Sequence, residues 1–123
     1  MQRKEEDDFA RILPLEIKTE SVRSGNEWVI PLPKVREALE LANQHLIAVL
    51  GVEVFRVSSD GLGTEGWSGY DFTFDGDWMS FVSENNKSAT EYIDQHQLGE
   101  GYGYIVTTAS ENEFAHLRDH ING

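Results

Sequence analysis

The spacing of apolar positions changes along the chain, and each change marks an element. Val35, Ala38, Leu39 and Ala42 recur at helical spacing while Lys34, Arg36, Glu37 and Glu40 take the other face, and Pro33 suits a first helical position. This predicts a helix over 33–44. Leu46 to Val52 is an unbroken apolar run, continued by Val54, Phe55 and Val57, which predicts a strand buried on both faces at its start. Continuation of the helix through Leu50 is the rival reading. Ser58 to Gly66 contains Asp60-Gly61 and two further glycines and reads as a turn or loop. Tyr70, Phe72 and Phe74 then alternate with Asp71 and Thr73 as in a strand. Asp75-Gly76 supplies a two-residue hairpin turn that would set Thr73 opposite Trp78, Phe72 opposite Met79 and Tyr70 opposite Phe81. Ser88-Ala89-Thr90-Glu91 has the form of a capping box, opening a helix on Ala89, Tyr92, Ile93 and His96 that ends near Leu98-Gly99. Tyr104 to Thr108 reads as a strand. Ser110-Glu111-Asn112-Glu113 is a second capping box before a last helix with Phe114, Leu117 and Ile121 on one side.

Upstream, Met1 to Asp8 is too polar to order itself, and Phe9 to Ile17, interrupted by Pro14, predicts a short helical turn or an extended cover. Ser24-Gly25-Asn26 is a turn signal, followed by the short apolar segment Trp28-Val29-Ile30, which ends at Pro31. Helices on one face of a mainly antiparallel sheet would bury these stripes, so the expected class is α+β, with about four to five strands and about three helices. A chain of 123 residues fits one domain, expected over 9–123 behind a disordered tail at 1–8.

Composition removes several kinds of chemistry. The chain has no Cys, which excludes disulfides, thiolate zinc sites, iron–sulfur clusters and cysteine nucleophiles. The Leu46–Val52 run falls far short of the roughly 20 residues a membrane helix needs, and no signal peptide is visible, so a cytoplasmic protein is expected. With 22 Asp and Glu against 10 Lys and Arg, the formal charge is -12, which repels phosphate backbones and anionic membranes. Nucleic-acid and membrane partners are therefore not expected. The imbalance falls on the second half, where residues 58–123 have only Lys87 and Arg118 as bases. Solubility alone accounts for such a charge, and so does a basic partner.

No enzymatic constellation stands out. There is no nucleophile elbow, and His45 and His96 fall at predicted helix ends, where a helix dipole or a polar boundary explains them. His116 and His120 are four apart but lack the Glu of a zincin helix, and Asp71, Asp75 and Asp77 do not have EF-hand spacing. Gly61–Gly66 lacks a P-loop Lys, and Glu100 stands among Gly99, Gly101 and Gly103 where phosphate oxygens would lie. Neither a catalytic role nor a metal or cofactor is expected. A different chemistry is concentrated in Asp60, Glu65, Trp67, Tyr70, Asp71, Asp75, Asp77 and Trp78: aromatic side chains that supply buried area, beside carboxylates that pair with Lys or Arg. Core packing explains Trp67 and Tyr70 equally well. Trp78, sharing the more polar hairpin face with Thr73, is the better candidate for contact.

Asn26-Glu27-Trp28, Ala38-Leu39, the run Ile47 to Phe55 and the Asp60-Gly61 turn together resemble the immunity protein 40 family of bacterial polymorphic toxin systems. The resemblance spans residues 12 to 105. That family has a tryptophan before its first main helix and a Leu-Gly-Gly-Asp-Val-aromatic strand end, matched here by Trp28 and by Leu50, Gly51, Val52, Glu53, Val54 and Phe55. Val52 and Glu53 depart from its second glycine and its aspartate, and later aromatic positions align loosely with Trp67, Tyr70 and Trp78. The resemblance implies an inhibitor, used in bacterial competition, that neutralises a cognate toxin protein by binding it. On that reading Asp71, Asp75, Asp77, Glu84 and Glu91 would speed association with a basic toxin surface, and one or two aromatics would set its dissociation. Two other classes stay open: a small ligand- or cation-binding domain, with or without catalysis, and an assembly subunit that buries its aromatic strip against copies of itself.

Overall fold

The computed structural model describes residues 7–24, 27–32, 34–58, 61–69, 77–96 and 101–122. The elements are α1 (Asp8–Ile12), α2 (Leu15–Glu20), β1 (Val22–Ser24), β2 (Glu27–Pro31), α3 (Lys34–Gln44), β3 (Ala48–Ser58), β4 (Gly61–Gly69), α4 (Trp78–Gln95), β5 (Tyr102–Ala109) and α5 (Glu111–Asn122). All strand pairs are antiparallel, and the sheet order is β1-β2-β5-β3-β4. The α+β expectation holds: β1–β2 and β3–β4 are sequential pairs, and β5 enters between them as the strand that joins the halves.

The Val-rich run does form the strand expected of it. β3 pairs along most of its length with both β4 and β5, so both rows of its backbone groups are satisfied. Val49, Val52 and Val54 lie in the main core with Ile30, Tyr104 and Val106, covered by Val35, Ala38, Leu39 and Ala42 of α3, by Ala89 and Ile93 of α4, and by Phe9, Leu13 and Ile17 of the N-terminal helices. The register with β5 skips Leu50, and this extra residue brings Val52 and Val54 onto the face of Val49, while Ala48 and Leu50 belong to a second cluster with Trp78, Phe81, Val82, Ala109 and Phe114.

α3 appears as its spacing predicts and stops in a Schellman arrangement. The Leu46 N–H donates to the Asn43 carbonyl at 3.2 Å and the Ile47 N–H to the Ala42 carbonyl at 2.8 Å, while Leu46 takes φ 55, a left-handed position usually held by glycine. The capping box at Ser110 is also as expected. Ser110 Oγ accepts from the Glu113 N–H at 3.2 Å, and Glu113 Oε1 accepts from the Ser110 N–H at 2.9 Å. The other Glu113 oxygen accepts from the Asp8 N–H, and Ser110 Oγ donates to the Asp8 carboxylate, which ties the start of α1 to the start of α5.

Four expectations are corrected. Asp7 and Asp8, assigned to the polar tail, are ordered, because the Asp7 carboxylate caps α1 through the Ala10 N–H. The glycine-rich segment from Gly61 is not a loop but strand β4, since β3 offers it a ladder over its whole length despite poor intrinsic propensity. Trp78, Met79 and Phe81 are not a hairpin arm. They open α4, whose N-cap is Asp77, accepting from the Ser80 N–H at 3.2 Å. Ser88-Ala89-Thr90-Glu91 therefore lies inside a helix already running, and the Thr90 hydroxyl donates back to the Asn86 carbonyl instead of capping. The other arm of the expected hairpin, Tyr70 to Phe74, and its turn at Asp75-Gly76 lie outside the described residues, as do Leu98 and Gly99. No helix among the described residues is long and apolar enough to cross a membrane.

Candidate binding surface

Three of the carboxylates named from the sequence, Asp77, Glu84 and Glu91, are brought into one line by α4. They are seven residues apart, and seven residues bring a helix back to within about 20° of the same direction while advancing about 10 Å. All three are exposed. The helix is oriented by its packed side chains. Asn86 points to the α3 side, where its Oδ1 accepts from the Val49 N–H at 2.8 Å and its Nδ2 donates to the Ile47 carbonyl at 3.0 Å. Tyr92 points to the other side, toward β4, so closely that a Cβ added to Gly66 would lie 2.8 Å from the Tyr92 hydroxyl. Counted at about 100° per residue, the acidic line falls on the outer shoulder of α4 nearest β4.

The surroundings of these carboxylates differ from those of acids elsewhere. Lys34 bridges Glu20 and Glu37, Arg36 pairs with Asp94, and Arg11 pairs with Asp8. Among the described residues no Lys, Arg or His side chain is ion-paired with Glu84 or Glu91. At the end of α4, the Tyr92 and His96 rings stack with centroids 4.1 Å apart, and His96 Nδ1 lies 2.8 Å from the Tyr92 carbonyl, which places a proton on that nitrogen. Burial raises the Tyr92 hydroxyl above its ordinary pKa. The Tyr104 hydroxyl donates to the His96 carbonyl at 2.6 Å and fastens this end of the helix to β5.

Trp78 is corrected. It is only 6% exposed, its indole N–H donates to the Leu46 carbonyl at 2.7 Å, and its ring packs against Phe81 and Phe114 with centroids 5.3 and 5.6 Å away. A two-residue period put it on a polar face. A helical period turns it into the second core cluster, so it is not a contact residue. Glu65 and Trp67 belong to β4, with Trp67 opposite Glu53 and Glu65 skipped by the register between Thr64 and Gly66; their side chains lie outside the described residues. Asp60, Tyr70, Asp71 and Asp75 lie outside them entirely.

Sequence reasoning missed two features. A groove of about 360 Å³ runs between α3 and α4, bordered by Arg36, Asn43, Asn86 and Lys87. Its signal was present, because Asn86 interrupts an apolar stripe at a position that must be buried. Near α1, Trp28 lies under Arg23, whose guanidinium is 4.8 Å from the ring centroid, and Trp28 and Thr108 each bury a polar side-chain atom with no hydrogen-bond partner among the described residues, beside a cavity of about 70 Å³. His45 and His116 are exposed, and among the described residues no three His, Asp or Glu side chains gather as a metal site would require. No family model, curated protein or solved structure matches the chain.

Proposed function

We propose that the protein is a binding protein of the immunity type, one that neutralises a cognate toxin protein by covering a basic surface of it. The observation that carries this reading is the exposed line Asp77–Glu84–Glu91 on α4, in which Glu84 and Glu91 have no ion-pair partner among the described residues. A helix fixes the spacing of these carboxylates before contact, so only their side chains and those of the Lys or Arg they attract must be ordered on binding. They act mainly on the association rate, and the rate falls as salt screens them. The resemblance in Trp28 and in Leu50 to Phe55 supports the same reading from a separate part of the chain. With Trp78 in the interior, the aromatic anchors left to this proposal are Trp67 and Tyr70.

The test is co-purification and growth rescue with the polypeptide encoded immediately upstream, compared between the wild type and an Asp77→Asn, Glu84→Lys, Glu91→Lys variant. Asn keeps the cap, so the variant stays folded. Rescue by the wild type and loss with the variant is the expected result. Rescue by both keeps the function and moves the contact off α4, and no complex with no rescue ends the proposal. The second reading, a small-ligand domain, has the α3–α4 groove in its favour. A rise in melting temperature with sugars or small anions, in the absence of any protein partner, would favour it.

A further inference from the structure

The ladder between β2 and β5 is short. Ile30 stands opposite Tyr104 and Pro31 opposite Gly103, and among the described residues these two pairs are the whole of the join between those strands. The same register continued would set Val29 against Ile105, Trp28 against Val106 and Glu27 against Thr107, but the pairing stops. The cavity of about 70 Å³ lies at this break, bordered by Glu27 and Trp28 of β2, by Val106 and Thr108 of β5, and by Asp7 and Phe9 at the start of α1. Ile30, Tyr104 and Val106 project into the main core, which Phe9 also enters. Side chains two residues apart share one face of a strand, so Trp28 and Thr108 project to that same side of the sheet.

Each of them buries a polar atom there. Trp28 Nε1 and Thr108 Oγ1 are shielded from solvent and have no hydrogen-bond partner among the described residues. Buried polar atoms are nearly always paired, and the pairing these two need can be specified. An indole N–H only donates, whereas a hydroxyl donates or accepts. What joins them must therefore accept from Trp28 and exchange a hydrogen bond with Thr108. Charge narrows the choice further. The carboxylates of Asp7 and Glu27 at the border oppose an anion, while the indole N–H and the Arg23 guanidinium, 4.8 Å from the Trp28 ring centroid, oppose a cation. A neutral molecule is left, and size limits it, because a water needs roughly 10–15 Å³ of such space and about 70 Å³ holds only a few. We propose that this cavity is a buried water site, in which a water accepts from the Trp28 indole N–H and bonds the Thr108 hydroxyl, so that β2 and β5 stay joined beyond the end of their ladder.

A crystal structure of the full chain, at a resolution that shows ordered water, tests this directly. A water within hydrogen-bond distance of both Trp28 Nε1 and Thr108 Oγ1 is the expected result. A dry cavity, or a group of this chain bonded to either atom in its place, would overturn the proposal. Thr108→Val gives a test in solution, because it removes the hydroxyl and nearly keeps the shape. If that hydroxyl bonds nothing, its removal raises the urea midpoint, whereas if it holds a water that also holds Trp28, its removal lowers the midpoint. A lowered midpoint is expected. In a Trp28→Phe background, which lacks the indole N–H, the same substitution should shift the midpoint much less, since two side chains that do not touch are then coupled only through the water. A raised midpoint, or equal shifts in the two backgrounds, would overturn the bridge. Should Trp28→Phe fail to fold, crystals of the wild type and of Thr108→Val decide the matter: the water should be present in the first and lost from the second, and a water in the same place in both would show that Thr108 does not hold it.

Discussion

Leu46 carries backbone strain at the point where α3 turns into β3. Its φ of 55 costs a non-glycine residue about 1–2 kcal/mol, and the side chain recovers little of that because it is 39% exposed. Leu46→Gly should therefore raise stability by about 0.5–1 kcal/mol in urea unfolding, the gain being reduced by the greater freedom of glycine in the unfolded chain. A loss of stability instead would mean that the Leu46 side chain, bordering a shallow depression with His45 and Trp78, packs more than its exposure implies. The Leu46 carbonyl also receives the Trp78 indole N–H. Trp78→Phe keeps most of the ring contacts and leaves that carbonyl unpaired, at a cost of about 1–2 kcal/mol, whereas Trp78→Ala also opens a cavity and should cost about 3–5 kcal/mol. Equal losses in the two variants would show that the hydrogen bond, not the packing with Phe81 and Phe114, dominates. Nothing in the residue types around Trp78 announced this: a tryptophan flanked by Asp77 and Met79 fits an exposed strand as well as a helix start.

At the scale of elements, legibility followed the strength of the local pattern. α3 was readable from its helical period, β3 and β5 from their β-branched and apolar runs, and α5 from a box whose two halves satisfy each other. β4 was not readable. Glycine and serine give no alternation, and the strand exists because β3 presents a ladder to it, a tertiary cause absent from the local sequence. The first half of α4 was misread because Asp75-Gly76 resembles a hairpin turn while the true start signal, Asp77 three residues before Ser80, was absorbed into it. The candidate site followed the same division. Glu84 and Glu91, named from the sequence as partner-binding carboxylates, are exposed, but their alignment with Asp77 needed a helix that begins eleven residues before the expected one. The packing of α4 on β4 can be tested at Gly66. Gly66→Ala places a methyl group 2.8 Å from the Tyr92 hydroxyl and should cost about 1–3 kcal/mol, and Tyr92→Phe in the same chain should recover part of the loss by removing the clashing oxygen. Additive effects in chemical unfolding would mean that the strand or the ring moves aside and that Tyr92 does not hold α4 against β4.

Across the whole molecule, the charge of -12 is not spread evenly over structure. Arg11 and Lys34 pair with acids of the first half and Arg36 reaches across to Asp94 of α4, while Glu84 and Glu91 on the same helix have no ion-pair partner among the described residues. Two carboxylates about 10 Å apart in water repel by about 0.4 kcal/mol, so a line of three stores up to about 1 kcal/mol at low ionic strength, and this falls toward zero once the Debye length drops to a few ångströms. Asp77→Asn, Glu84→Gln, Glu91→Gln should thus be more stable than the wild type by up to about 1 kcal/mol in dilute buffer, with the difference vanishing near 1 M salt. Denaturant unfolding at the two ionic strengths checks it. A variant less stable than the wild type at both would give the line a structural role and leave the binding proposal without its electrostatic basis. A stabilised variant that also associates more slowly with the co-expressed partner, and whose association no longer depends on salt, would show the line to be a surface on which folding stability is given up for speed of encounter.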